Sequence, residues 1–199
     1  MIGFELNIYV STGPNTAEYK KILAKEIDDQ SLDFKIIEDI SRSREVNAII
    51  YSDDSEISDF ALFPDSTVIF STFAGVEKTL LNKTITQSLV RLIDVEMTQC
   101  MAEWCAAHVL RYHLGLDIYI KPTKKEWKIS HKERLLADQV DIGILGLGTL
   151  GSATARKLKK LDFNVAGWSA NKKKISGVKS LVGPEGLTKI LSTSDYLIL

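Results

Sequence analysis

The run Asp141-Ile142-Gly143-Ile144-Leu145-Gly146-Leu147-Gly148-Thr149-Leu150-Gly151 restricts the fold more than any other stretch of the chain. A short apolar segment leads into a Gly-x-Gly-x-x-Gly turn, and an amphipathic pattern follows at once. Three glycines at this spacing mean little alone. Between a strand and a helix they mark a dinucleotide-binding turn. Gly146 permits the tight turn, Gly148 lets backbone approach a pyrophosphate, and Gly151 lets the helix pack closely on the strand. The first helical N–H groups, around Thr149 and Leu150, would hold phosphate oxygens at the positive end of the helix dipole. A strand-to-helix turn without a ligand is the alternative, weighed lower because the flanking pattern is of the binding kind.

Downstream, Leu150, Thr154, Leu158 and Leu161 fall on one helical face, which predicts a core-facing stripe. Arg156, Lys157, Lys159 and Lys160 suit the C-terminal end of that helix, and Asp162 takes the turn where glycine or asparagine is more usual. Asn164–Trp168 reads as a second strand, residues 184–191 as a helix with Pro184 in its first turn, and residues 195–199 as a buried strand. The sequence stops there, in mid-strand, which reads as a truncation that leaves both domains incomplete.

Upstream, residues 5–10, Phe34–Ile37, Ala48–Tyr51 and 68–70 are short apolar runs between polar turns. Asn15 or Thr16 is placed to cap a helix running to about residue 27. Ala74-Gly75-Val76 opens a short helix to about residue 81, and residues 84–93 return to the sheet edge. This alternation predicts an α/β fold with parallel sheets. Residues 96–114 form a long helix that is apolar or small over most of its circumference, and so buried in a core or between subunits. The basic, irregular stretch 121–128 is a linker, with a nucleic-acid patch the weaker reading because only Trp127 interleaves its lysines.

Composition narrows the function classes. With 45% hydrophobic and 26% charged residues the 199-residue chain can build a sizeable core, and a formal net charge of −1 predicts no bulk attraction to nucleic acid or anionic membrane. Cys100 and Cys105, five apart on one helix, make neither a disulfide framework nor a metal site and read as small buried apolar residues. No apolar run is long enough to span a membrane and no signal segment follows Met1, so a cytoplasmic location is expected.

Four separated motifs resemble one family. Gly143 to Gly151, then Gly167-Trp168-Ser169, then Gly177-Val178, are similar to the cofactor domain of D-isomer specific 2-hydroxyacid dehydrogenases; Trp168-Ser169 with its basic sequel is most similar to the glyoxylate/hydroxypyruvate reductase branch. The run from Val68 to Glu77 resembles the family's substrate loop, and Arg91-Leu92-Ile93-Asp94 with Met101-Ala102-Glu103-Trp104 resembles the start of its long interdomain helix. The resemblance implies a flavodoxin-like substrate domain (1–93), an interdomain helix and linker (94–130), and a Rossmann-type NAD(P)-binding domain (131–199). It implies that backbone N–H groups of Ala74, Gly75 and Val76 hold the substrate carboxylate, whereas the residues alone allow a plain turn whose Gly75 relieves strain. Met101 becomes a candidate cofactor contact, though a methionine on an apolar helix is more often core. The full-length protein is expected to pair as a homodimer through the long helix.

The resemblance also implies reduction of a small 2-oxoacid, glyoxylate or hydroxypyruvate in type, by hydride transfer from a nicotinamide cofactor. The family's arginine, glutamate and histidine for this chemistry have no counterpart in residues 1–199, so no catalytic residue is assigned and this stretch alone is expected to be inactive. His108, His113 and His131 match no family motif and read as structural or solvated. In NAD-specific domains a carboxylate about twenty residues past the glycines binds the ribose hydroxyls. Here Trp168 is followed by Ser169, Ala170, Asn171 and Lys172 with no acid, so NADPH is expected over NADH, with NAD still possible. Where relatives carry a tryptophan- and proline-bearing loop, this chain has Tyr51-Ser52-Asp53-Asp54-Ser55-Glu56, whose acids would repel an anionic substrate if they faced it. The competing reading is a non-catalytic nucleotide-binding or regulatory module, or a truncated inactive remnant of the reductase. Sequence beyond Leu199 would discriminate these.

Overall fold

Ile- and Val-rich runs separated by polar turns become parallel strands, because each run can bury both faces under connecting segments. The computed structural model describes residues 6–30, 33–120 and 135–199, and the chain divides into two compact units, 1–94 and 95–199. The first unit contains β1 (Leu6–Ser11), α1 (Thr16–Gln30), β2 (Phe34–Ile37), β3 (Ala48–Tyr51), β4 (Val68–Ser71) and β5 (Ser88–Val90). All pairings are parallel, in the order β2-β1-β3-β4-β5, which is the flavodoxin-like order. On one sheet face Ile37, Ile49 and Ile69 lie under the fully buried Phe60 and Phe63; on the other, Ile8, Val10 and Ala48 lie under Tyr19 and Leu23 of α1. Each such buried phenylalanine contributes about 1.5–3 kcal/mol.

Two local expectations fail in this unit. Helix α1 continues to Gln30, and its Thr16 hydroxyl accepts from the Thr12 N–H (2.9 Å) and donates to the Gly13 carbonyl (2.8 Å), while Asn15 belongs to a 3-10 turn. Ala74, Gly75 and Val76 open no helix; only a 3-10 turn, Thr79–Leu81, follows them. The Leu80 N–H bonds the Val76 carbonyl (2.9 Å) in a single turn that is not continued, and the Leu92 N–H bonds the Phe73 carbonyl (3.2 Å), which holds the start of the loop beside the segment leaving β5.

The second unit contains α2 (Val95–His113), α3 (Asp117–Ile120), β6 (Asp141–Leu145), α4 (Thr149–Lys159), β7 (Asn164–Trp168), β8 (Lys179–Leu181), α5 (Gly183–Thr193) and β9 (Tyr196–Ile198). Its parallel sheet runs β8-β7-β6-β9, the order of the first four strands of a dinucleotide-binding sheet. Ile142, Ile144, Leu147, Leu158 and Phe163 form its core together with Ala106 and Val109 of α2.

Helix α2 is not buried all round. Only Ala102, Ala106 and Val109 are buried, while Trp104 and Tyr112 are each 59% exposed. Small residues at spacings of four and three let α2 approach α4, and the large apolar side chains are left on the flanks. The cysteines also depart from expectation: Cys100 is exposed and Cys105 half-buried, because neither lies on that alanine stripe. On α4 the buried face is Thr154, Ala155 and Leu158, with Leu150 and Leu161 exposed at the ends. Strand β9, expected to be buried, pairs with β6 among the described residues, and its Leu197 is exposed. Asp162 does adopt a left-handed backbone (φ 65°) in the turn before β7. The linker 121–128 and His131 fall outside the described residues. No described helix is long and apolar enough to cross a membrane.

Candidate functional site

The turn after β6 is shaped by contacts that only glycine allows. Gly146 has φ 109°, and its N–H donates to the Trp168 carbonyl at 2.8 Å. A Cβ on Gly151 would lie 1.8 Å from the Gly146 carbonyl oxygen, so the helix can start this close only without a side chain there. The Ser152 hydroxyl donates to the Leu147 carbonyl (3.0 Å) and closes the turn from inside. Gly148 differs from Gly151: it is the N-cap of α4, and a Cβ there would meet nothing within 4 Å. No side chain caps the helix, so the N–H groups of Thr149, Leu150 and Gly151 lack acceptors from the helix or from a cap. An exposed, uncapped helix start beneath open space fits the phosphates of a dinucleotide.

Sequence reasoning missed one part of this cradle. A Cβ on Gly167 of β7 would stand 2.3 Å from the Leu147 side chain, so that glycine makes room for the fully buried Leu147 in the middle of the turn. Gly167 was visible as part of a motif, but nothing in its spacing connects it to Leu147.

At the end of β7, the Trp168 indole N–H donates to the Gly183 carbonyl (2.8 Å), and the Ser169 N–H donates to the Leu181 carbonyl (3.2 Å). The Ser169 hydroxyl donates to the Asn171 carbonyl (2.7 Å), so its only proton is used within the turn. Ala170, Asn171 and Lys172 are exposed, and no carboxylate occurs between Ser169 and Lys174. The Asn171 amide and the Lys172 ammonium are thus among the side-chain donors this turn presents, together with the exposed Lys173 and Lys174, and the hydroxyl of Ser169 is not.

In the first unit, Ala74, Gly75 and Val76 follow β4, and their N–H groups donate to no described residue. Gly75 has no positive φ, so it does not relieve backbone strain. Its missing Cβ leaves space that only the Glu77 carboxylate enters, 2.9 Å from where that Cβ would be. Arg91 reaches the Ala74 and Leu92 carbonyls, both at 3.5 Å. Tyr51, at the end of β3, is buried edge-on to Phe60; burial pushes its phenol up, and the Asp53 and Asp54 carboxylates push it further in the same direction.

Met101 lies on an exposed flank of α2, one residue before buried Ala102. His108 packs on Trp104 with ring centroids 4.1 Å apart, and His113 meets Phe163 edge-on at 5.1 Å. Among the described residues no cluster of His, Cys, Asp and Glu could hold a metal ion. A hollow of about 380 Å³ beside Lys159, Lys179 and Lys189 lies at the amino ends of β6 and β7. Ligands of open α/β sheets bind at the carboxyl ends, so the glycine turn and not this hollow is the cofactor candidate.

Comparison with known proteins agrees with this geometry. Residues 107–199 match the D-isomer specific 2-hydroxyacid dehydrogenase, NAD binding domain. The glyoxylate/hydroxypyruvate reductase A of Serratia proteamaculans is 39% identical over 111 residues, 55% of this chain and 35% of the relative; that of Yersinia enterocolitica matches to the same extent. The match thus spans about a third of the length of these curated relatives. A D-isomer specific 2-hydroxyacid dehydrogenase from Xanthobacter autotrophicus, solved with NADPH and MES, superposes with a TM-score of 0.80 at 25% identity, covering 98% of this chain and 62% of that one. An NADPH-dependent glyoxylate/hydroxypyruvate reductase from Sinorhizobium meliloti, solved with NADP and sulfate, gives 0.78 at 29% identity over 96% and 61%. Residues 107–199 are thus similar to the NAD-binding domain of D-isomer specific 2-hydroxyacid dehydrogenases, and among these the chain resembles the glyoxylate/hydroxypyruvate reductases.

Proposed function

We propose that this protein works as an NADPH-preferring reductase of small 2-oxoacids of the glyoxylate or hydroxypyruvate type, with NADH accepted less well. The observation that carries the reading is the turn after β7, which presents Asn171 and Lys172 and no carboxylate. A carboxylate there would bind the ribose hydroxyls of NAD and repel a 2′-phosphate. When bound, the cofactor supplies a hydride to a carbonyl carbon. The residues of this chain bind and orient. Gly146, Gly148, Thr149, Leu150 and Gly151 form the pyrophosphate cradle, Asn171 and Lys172 hold the ribose phosphate, and Trp168, Ser169 and Ala170 shape that turn. The N–H groups of Ala74, Gly75 and Val76 hold the substrate carboxylate. No proton-transfer residue is assigned within residues 1–199, and this stretch by itself is proposed to be inactive.

The exposed Trp104 and Tyr112 flank of α2 is proposed to pair with its copy in a homodimer. Sedimentation of the full-length protein as a monomer at micromolar concentration would count against that pairing.

The cofactor reading is tested by titrating NADPH and NADH into wild type and Ala170→Asp. Wild type is expected to bind NADPH about tenfold more tightly, a difference of about 1.4 kcal/mol, with Ala170→Asp reversing or abolishing the preference. Wild type favouring NADH, or NADPH binding untouched by the new acid, would show that this turn does not read the phosphate. Without an arginine in this turn to make a planar, bidentate phosphate contact, the preference is modest.

A further inference from the structure

The acidic run after β3 would repel an anionic substrate if it faced one, yet its three acids do different things. Asp54 and Glu56 are exposed. Asp53 instead accepts the Thr79 hydroxyl at 2.6 Å, and Thr79 is only 3% exposed. We propose that Asp53 is a positioning residue for the loop of Ala74, Gly75 and Val76, fixing through Thr79 the backbone that receives the substrate carboxylate. The proposal rests on the reading of that loop as the carboxylate site.

Several contacts converge on the segment just beyond Val76. The Lys78 ammonium donates to the Asp53 carbonyl (3.5 Å), the Asn82 amide to the Ser58 carbonyl (2.8 Å), and the Phe60 N–H to the Thr84 hydroxyl (2.9 Å). Residues 53–60 thereby grip residues 78–84. The other end of the loop is tied at Phe73 by the Leu92 N–H. Between these two anchors the three N–H groups are left free to point at a ligand. Of the contacts, the Asp53–Thr79 bond joins a charged acceptor to a buried hydroxyl, the combination that gives the strongest hydrogen bonds.

Anchoring and repulsion predict opposite signs, which makes the idea testable in the full-length enzyme. Asp53→Asn removes the charge but keeps an oxygen to accept from Thr79; anchoring predicts a KM for the 2-oxoacid within about twofold of wild type, and repulsion predicts a fall. Asp53→Ala and the near-isosteric Thr79→Val lose the bond and are each expected to raise KM about tenfold with kcat within about threefold, as loss of uniform substrate binding requires. The double variant is expected to be no worse than either single one, because both remove the same interaction. NADPH affinity, read by fluorescence, stays at the wild-type value. A fall of KM in Asp53→Asn, or an unchanged KM in Thr79→Val, overturns the proposal; should Asp53→Ala fail to fold, Thr79→Val decides. Gly75→Ala separates the two layers. If it leaves KM unchanged, the carboxylate-loop reading itself fails. If it raises KM while Thr79→Val does not, only the anchor fails.

Discussion

The glycine turn after β6 and the loop after β4 both present backbone N–H groups at the carboxyl end of a strand, but they are held in place differently. The first is fixed by what cannot fit: Gly151 against the Gly146 carbonyl, and Gly167 against Leu147. The second is fixed by side-chain bonds to a distant loop: the Asp53 carboxylate accepts the Thr79 hydroxyl, and the Asn82 amide donates to the Ser58 carbonyl. Steric exclusion is local and leaves a signature in residue type and spacing. Side-chain anchoring joins positions 26 and 24 residues apart and leaves no such signature.

The largest effect that tests this comparison lies in the glycine turn. Gly151→Ala puts a Cβ against a backbone oxygen that has no flexible end to move, so we expect a loss of about 3 kcal/mol or more. For a unit of this size that lowers Tm by roughly 12 °C or more. Gly148→Ala faces open space at an ordinary φ of −72° and is expected to leave Tm within about 2 °C while weakening NADPH binding about tenfold or more. Thermal unfolding and cofactor titration of the pair check this. If both variants lose stability equally, Gly148 serves packing and not a ligand.

The same contrast explains what could be read from sequence. Strands β2 and β7 and the turn at Asp162 were legible because period, turn residues and glycine spacing act over a few positions. The exposure of Trp104 and Cys100 was not, because α2 uses an alanine stripe for its contact and an apolar count cannot tell which face touches α4. The use of the Ser169 hydroxyl within its own turn, and the part Gly167 plays for Leu147, depend on how non-neighbouring backbone is brought together. The acids at 53–56 were seen, but the direction in which Asp53 points is a tertiary property.

A smaller effect is expected at Glu77, whose carboxylate enters the space over Gly75. Two like charges about 4 Å apart in a water-rich site repel by about 1 kcal/mol. Glu77→Gln is therefore expected to lower KM for the 2-oxoacid by a factor of two to five, roughly, at low ionic strength. Raising salt to about 1 M, where the screening length is about 3 Å, should bring the two enzymes together. An unchanged or higher KM at low salt would mean that Glu77 swings clear of the bound substrate.

The smallest effect sharpens the point about side-chain anchors, because burial decides how much such an anchor holds. The Lys157 ammonium of α4 donates to the Glu103 carboxylate of α2 at 2.9 Å, but unlike the bond to buried Thr79 this pair lies at the surface. The Lys157 hydrogen bond holds the Glu103 carboxyl below its ordinary value of 4.5, with the Gln99 amide adding in the same direction. A carboxyl whose folded pKa lies below its unfolded one stabilises the fold above the unfolded value, and that contribution disappears as pH falls through the folded one. Glu103→Gln is thus expected to lower Tm by about a degree or two at pH 7, as exposed pairs do. The gap from wild type should close once pH drops below the folded pKa. A gap that stays constant as pH falls through the folded pKa would show that Glu103 acts through packing of its stem. A gap as wide as that of Thr79→Val measured alongside it would remove burial as the factor that distinguishes the two anchors.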